Sequence, residues 1–239
     1  MSRPADRTTG TVTATVHPNI ALVKYWGKRD LSLNLPAVSS VSLTLSEFAT
    51  TTTVTWGADA DEILWDDAPA PEKEQTKFLT FLDRFLPNRP PCAIRTRNNF
   101  PSGAGLASSA SGFAALALAA AGASGRAFSL TELSIIARQG SGSACRSLWG
   151  GFVEWRRGAR DDGLDSHGLP LAPASHWDVA MVVAVVATGR KDVGSTEGME
   201  RSRLTSALYG TWVDQAEGDV AEGRAAILAR DLERLGRVM

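Results

Sequence analysis

Residues able to do chemistry gather in three short stretches of this chain. Pro101-Ser-Gly-Ala-Gly-Leu-Ala-Ser-Ser-Ala-Ser-Gly112 and Gly140-Ser-Gly-Ser-Ala-Cys-Arg146 are built almost entirely from small residues. Small side chains leave backbone N–H groups uncovered, and uncovered N–H groups at a helix start bind anions. In the first loop Ser102, Ser108, Ser109 and Ser111 add hydroxyls to those amides. No Gly-Lys-Ser/Thr follows, and Ser108 stands where a dinucleotide fingerprint needs its third glycine, so neither common phosphate motif is present. Composition alone leaves that loop open between tight helix packing and an anion site; a strand–loop–helix context favours the site. The second loop ends in Arg146, a bidentate donor for carboxylate or phosphate, with Ser141 and Ser143 beside it. The third stretch, Lys24-Tyr-Trp-Gly-Lys28, sets two cations and two aromatics around one glycine. By spacing alone it reads as a strand end with solvated lysines. Two anion cradles in one small protein imply two phosphorylated ligands held close together, and hence phosphoryl transfer.

Nothing else in the sequence competes for that role. His17, His167 and His176 are scattered without ligand spacing, and Asp59, Asp61, Asp66 and Asp67 lack the pattern of a calcium loop. Cys92 and Cys145 fit no metal or redox spacing, which is the habit of a reduced, cytoplasmic protein. A net charge of -1 argues against nucleic acid or an anionic membrane as partner. The N-terminus carries no apolar signal core, and the runs at 113–121 and 179–187 are too short to cross a bilayer.

The elements that must position these stretches follow from periodicity. Residues 10–16 and 38–45 alternate as strands, and 20–26 is a short apolar segment before a charged turn at 27–30. Residues 50–56 and 62–65 flank the polar turn 57–61 and predict a hairpin. Phe78, Leu79, Leu82, Phe85 and Leu86 predict a helix over 73–86, stopped by prolines. Residues 92–96 predict a strand into the first loop, and the Ala-rich run 110–121 a helix after it. Ser129 and Glu132 form a capping-box pattern for a helix that runs to Gln139, with Gly140 as its stop. Residues 151–155 and 179–187 read as buried strands, 156–167 as a surface loop, and 196–216 and 219–237 as helices.

Together the three stretches are specific. Asn19-Ile-Ala-Leu-Val-Lys-Tyr-Trp-Gly-Lys-Arg-Asp30, Asn98-Asn-Phe-Pro-Ser-Gly-Ala-Gly-Leu-Ala-Ser-Ser-Ala-Ser-Gly112, Ala137-Arg-Gln-Gly-Ser-Gly-Ser-Ala-Cys-Arg-Ser147 and Lys191-Asp-Val-Gly-Ser-Thr-Glu-Gly-Met199 resemble the diphosphomevalonate decarboxylases of the GHMP kinase superfamily. The resemblance implies an α+β, two-domain GHMP kinase-type fold: an N-terminal ATP- and substrate-binding domain over 1–178 and the start of a C-terminal domain over 179–239. It implies ATP and magnesium as cofactors and mevalonate 5-diphosphate as substrate. The 3-hydroxyl is phosphorylated; phosphate and carbon dioxide then leave to give isopentenyl diphosphate. Asn98, Pro101, Ser102, Gly103, Ala104, Gly105, Leu106, Ala107, Ser108 and Ser109 would hold the nucleotide. Asn19, Tyr25, Trp26, Gly27, Lys28, Ser141, Gly142, Ser143, Ala144, Cys145, Arg146, Ser195 and Thr196 would hold the substrate. Lys24, Arg146 and Ser108 would act in the reaction, and Lys73 or Lys77 would add a further contact. The metal ligands follow from no spacing. A cytoplasmic homodimer is implied as well.

One family feature is missing from these residues. Family members carry a catalytic aspartate late in the chain, in an Asp-Ala/Ser-Gly-Pro-Asn-type stretch, and the 239 residues contain none. The second domain therefore reads as incomplete and this stretch of chain as inactive or severely impaired by itself. A phosphomevalonate decarboxylase, a mevalonate 3-kinase-type enzyme and an inactive paralogue are the alternative expectations.

Overall fold

A computed structural model describes residues 10–101, 105–184 and 193–239. Eleven strands and six α-helices are assigned among them. The strands are β1 (Thr11–Val16), β2 (Asn19–Val23), β3 (Lys28–Asp30), β4 (Leu35–Pro36), β5 (Ser40–Thr44), β6 (Thr50–Trp56), β7 (Glu62–Trp65), β8 (Ala68–Pro69), β9 (Cys92–Asn98), β10 (Phe152–Trp155) and β11 (Gly168–Ala172). The helices are α1 (Glu72–Phe85), α2 (Ser108–Ala123), α3 (Leu130–Gly140), α4 (Ser195–Thr205), α5 (Tyr209–Ala229) and α6 (Leu232–Gly236).

Two sheets carry the fold. One has the order β1-β6-β9-β7-β8 and the other β11-β10-β5-β2; β3 and β4 form a separate ribbon. In β1 and β6 alternate threonines face outward as hydroxyl pairs, Thr11 with Thr55, Thr13 with Thr53 and Thr15 with Thr51. The intervening Val12, Ala14, Val16 and Val54 turn inward. That inner face meets α2, whose alanines let it lie close against β1 and β6. Because α2 is apolar on nearly every side, it is the central helix, with Phe113 and Leu116 packed among Phe78, Phe81 and Leu82 of α1. The second sheet buries Leu22, Val41, Phe152 and Ala172 against Val220, Ala226 and Ile227 of α5 and Leu235 of α6. Gly223 makes this approach possible, since a Cβ there would stand 2.5 Å from Val23 Cγ2.

Several expectations are met. Ser129 and Glu132 form a complete capping box on α3, and the helix expected over 73–86 is α1, one residue earlier at each end. Others are corrected. Residues 50–56 and 62–65 do not pair as a hairpin: β9 lies between β6 and β7, antiparallel to the first and parallel to the second. Asp61 explains the detour, because its carboxylate accepts from the Cys92 N–H (2.9 Å) and both terminal nitrogens of Arg89, tying the turn to the start of β9. The loop 156–167 returns as β11, a strand the sequence reading missed because Pro170 interrupts its pattern. Residues 179–184, the described part of the run expected as a buried strand, are not strand, and Val182 is 93% exposed.

The two late helices are three. The break falls at 206–208, not at Gly218, which stays helical inside α5. Glycine costs a helix about 1 kcal/mol, and burial of Ala216 and Val220 on either side outweighs it. Gly140 also differs in its reason. It is the last residue of α3 and has no left-handed backbone; a Cβ there would lie 2.1 Å from Phe113 Cδ1, so close packing selects the glycine.

Candidate active site

The two small-residue loops meet. Ser109 Oγ, in the first turn of α2, lies 3.2 Å from Ser141 Oγ, at the end of α3. The α2 N-terminus has no side-chain cap and no acidic residue in its first turn, and Ala107 enters it with φ 53°. Its amides therefore stay available to an anion. Below it Ser111, Thr50 and Asn98 form a hydroxyl–amide chain: Thr50 Oγ1 is 2.6 Å from Ser111 Oγ and donates to Asn98 Oδ1 at 2.6 Å. Asn98 thus braces the helix start from the end of β9. Pro101 and Gly105 are exposed, Leu106 is buried with Leu45 and Phe100, and Ser108 is half-buried. Ser102, Gly103 and Ala104 lie outside the described residues.

The second loop is a 3-10 turn, Gly142–Arg146, clamped from several sides. Ser134 donates to the Cys145 carbonyl at 2.9 Å and accepts from the Gly168 N–H. Asn19 Nδ2 donates to the Ser143 carbonyl at 3.0 Å and to Ser147 Oγ at 2.7 Å. Asn19 Oδ1 in turn accepts from Arg146 Nε and Nη2 at 3.1 and 2.9 Å. Arg146 is fully buried, its Nη1 donating to Ser40 Oγ at 2.5 Å and its guanidinium carbon 5.8 Å from the Trp155 ring centre. All of those partners are neutral, so a buried positive charge stands without a described carboxylate. Gly142 leaves room for the aromatic wall: a Cβ would come within 2.8 Å of Trp155 and 2.9 Å of the Tyr25 hydroxyl. Ala144 and Cys145 are buried backbone-side members of the turn. Burial pushes the Cys145 thiol up to about 12, against the pull of Arg146 and Arg138, so it stays an inert thiol.

Tyr25 packs edge-on to Trp155, ring centres 4.6 Å apart. Burial pushes its hydroxyl up to about 12, partly offset by the charge of Arg146. Tyr209, the only other tyrosine, is also raised by burial. A spectrophotometric titration at 295 nm should therefore lack the Tyr25 half of the tyrosinate signal near the ordinary value of about 10 while the chain is folded. The unfolded chain gives up these protons first, so stability is expected to fall as pH rises from about 10 towards 12. A full tyrosinate transition near 10 without loss of folded structure would contradict this burial.

The 24–28 stretch brings the remaining residues in. Lys24 is exposed, its Nζ 5.0 Å from the Trp26 ring centre. Lys28 Nζ donates to Asn34 Oδ1 at 2.5 Å and to Thr196 Oγ1 at 3.3 Å, so α4 is joined to the ribbon across 168 residues of sequence. Burial draws the Lys28 ammonium below the ordinary lysine value. Ser195 opens α4 beside Thr196 and is exposed. Gly27, with φ 106°, lies under the Tyr209 hydroxyl, which finds no hydrogen-bond partner among the described residues. A cavity of about 510 Å³ opens there, bounded by Lys24, Trp26, Tyr209 and Trp212. Asn34 and Tyr209 are the neighbours that sequence reasoning missed. Asn34 offered one signal, an asparagine before Leu-Pro in a turn, a place suited to a left-handed residue.

An α+β fold with two sheets and a helix that opens on a small-residue anion loop is the GHMP kinase type. Family profiles go further: the diphosphomevalonate decarboxylase-like N-terminal domain matches residues 16–168, and the mevalonate 5-diphosphate decarboxylase C-terminal domain matches 181–239. The chain belongs to the diphosphomevalonate decarboxylase family. It is 46% identical to the diphosphomevalonate decarboxylase of Aspergillus fumigatus over 248 residues, 95% of this chain and 61% of that protein. The human diphosphomevalonate decarboxylase is 40% identical over 226 residues, 85% of this chain and 56% of that one. Among solved structures, mevalonate diphosphate decarboxylase from Staphylococcus aureus superposes with a TM-score of 0.84 at 37% identity, covering 96% of this chain and 70% of its own. MDDEF in complex with MVAPP, AMPPCP and magnesium gives 0.84 at 39%, covering 96% and 72%. The chain thus spans about three fifths of the length of the first curated relatives it matches.

Proposed function

We propose that this chain provides the nucleotide and substrate cradles for ATP-dependent decarboxylation of mevalonate 5-diphosphate to isopentenyl diphosphate. The observation that carries the reading is the meeting of the two loops at Ser109 and Ser141, with the uncompensated Arg146 behind one of them. ATP phosphates on Asn98 and Pro101–Ser109 would then lie beside a substrate on Asn19, Tyr25–Lys28 and Ser141–Arg146. Arg146 would grip the substrate carboxylate, Lys28 with Ser195 and Thr196 the diphosphate, and Lys24 would stand near the reacting hydroxyl. Ser108 would orient the transferred phosphoryl group. Such a reaction asks chiefly for positioning and charge neutralisation. Trp26 and Tyr25 would keep water from the positive charge that builds at C3 as phosphate leaves.

The described residues contain no cluster of three or more acidic, histidine or cysteine ligands. That fits magnesium, which is commonly held through substrate phosphates with few protein ligands. When bound it would neutralise phosphate charge. The general base is assigned to no residue here. The division at 178/179 is supported by family profiles that fall on either side of it. A cytoplasmic homodimer rests on the family resemblance, and light scattering tests its size.

Calorimetry with mevalonate 5-diphosphate, mevalonate 5-phosphate and a non-hydrolysable ATP analogue tests the binding. Tight binding of the diphosphate and the nucleotide is expected. Release of carbon dioxide matched to ADP identifies the decarboxylase, and ADP alone a kinase. Absence of binding for both ligands overturns the reading.

A further inference from the structure

Lys28 and the Gly140–Arg146 loop are joined by a residue that none of the motifs contains. Asn34 has a left-handed backbone, φ 52°, and its side chain works in two directions. Its Oδ1 accepts from Lys28 Nζ at 2.5 Å, and its Nδ2 donates to the Gln139 carbonyl at 2.8 Å. Gln139 directly precedes the loop. The turn that carries Asn34 is itself fixed: Arg84 donates to the Ser32 carbonyl, Arg138 to the Leu33 carbonyl, and Asp30 accepts from Ser32 and the Leu33 N–H. No described carboxylate pairs with Lys28, whose partners are the neutral Asn34 and Thr196.

The chemistry singles out an amide. An ammonium only donates and a carbonyl only accepts, so the bridge must accept at one end and donate at the other. Aspartate would offer acceptors at both ends, setting a carboxylate oxygen against the Gln139 carbonyl and neutralising Lys28. Only a neutral bridge fixes the ammonium and leaves its charge free for an anionic ligand. We propose that Asn34 is a positioning residue, which ties the Lys28 ammonium to the base of the Gly140–Arg146 loop and so sets the geometry in which the anionic substrate is met. The inference rests on the decarboxylase reading for the identity of that anion.

Asn34→Gly and Asn34→Asp should both tolerate the left-handed backbone, and melting curves are to check that each folds. Lys28 is one of five lysines, so its labelling by an acylating reagent can be followed by mass spectrometry against Lys73 and Lys77. Asn34→Gly should label Lys28 at least threefold faster, and Asn34→Asp should label it more slowly than the unaltered chain. Calorimetry should show mevalonate 5-diphosphate bound about tenfold more weakly by both variants, with the ATP analogue within twofold. In a Lys28→Met background Asn34→Gly should cost less than a further twofold. Unchanged Lys28 labelling in Asn34→Gly overturns the proposal. So does substrate affinity within twofold of the unaltered chain, or equal loss of nucleotide and substrate. If the unaltered chain binds no mevalonate 5-diphosphate, the functional reading fails, and labelling alone decides the role of Asn34.

Discussion

Arg146→Met should weaken mevalonate 5-diphosphate binding by 100-fold or more while lowering the melting temperature by only a few degrees. The side chain is 2% exposed and, among the described residues, donates only to Asn19 Oδ1 and Ser40 Oγ. Holding an unpaired guanidinium away from water costs several kcal/mol, and replacing it with an apolar side chain of similar length removes that cost. Against this stand the lost charge-assisted hydrogen bonds, each worth about 1.5–3 kcal/mol. The Ser40 hydroxyl can rotate and Asn19 Nδ2 keeps its bonds to Ser143 and Ser147, but the buried Asn19 Oδ1 loses both of its described donors, which costs about 1–3 kcal/mol. Relief of the buried charge offsets most of these losses and leaves a net fall of about 1–2 kcal/mol in stability. A bound carboxylate has no such compensation, and 100-fold in affinity corresponds to about 2.8 kcal/mol. Calorimetric titration beside a melting curve checks both halves. Retained affinity, or a fall of more than about 10 °C in melting temperature, would count against this account.

Arg138→Met should do the reverse, with a loss of about 3 kcal/mol in folding stability. Arg138 is equally buried, but its partners are backbone carbonyls: Leu33 at 3.1 Å, Gly163 at 2.7 Å and Ser166. Gly163 keeps the Ser166 N–H, but the Leu33 and Ser166 carbonyls are fixed in turns with no other described donor, and each one left unsatisfied costs about 1–3 kcal/mol. The relief of an unpaired buried charge offsets part of this, as it does at Arg146. For a chain of this size the remainder should lower the melting temperature by roughly 6–12 °C. A fall below about 3 °C in scanning calorimetry would show that the three turns hold without the guanidinium.

The same pair shows where sequence reading works and where it stops. Arg146 was legible because it ends a loop of small residues, and the capping box of α3 because both partners lie three positions apart. The threonine alternation of β1 and β6 likewise carries its answer locally. Arg138 carries no such sign: its three carbonyls come from turns 105, 25 and 28 residues away. Asn34 and Tyr209 escaped for that reason too, since the Gln139 carbonyl beside Asn34 and the Gly27 backbone beside Tyr209 are brought there by tertiary approach. The apparent hairpin at 50–65 failed because spacing and turn residues say nothing about a strand, β9, that enters from 27 residues further on. The site segments were visible one by one; their convergence through Ser109, Ser141, Lys28 and Thr196 was not.

The seating of α5 on the second sheet sets the order in which the chain can become a folded body. Leu22, Val41, Phe152 and Ala172 are all present once the first 172 residues have been made, yet their cover comes from Val220, Ala226, Ile227 and Leu235. During synthesis, β2, β5, β10 and β11 can pair while one face of their sheet stays wet and adhesive until residues near 235 emerge from the ribosome. Glu217 and Arg224 then lock the cover by grasping the Ser39 N–H and Glu154. A cut anywhere between Ala172 and Val220 removes the α5 and α6 cover from four apolar side chains, so such a fragment is an aggregation hazard even though every strand of its sheet is intact.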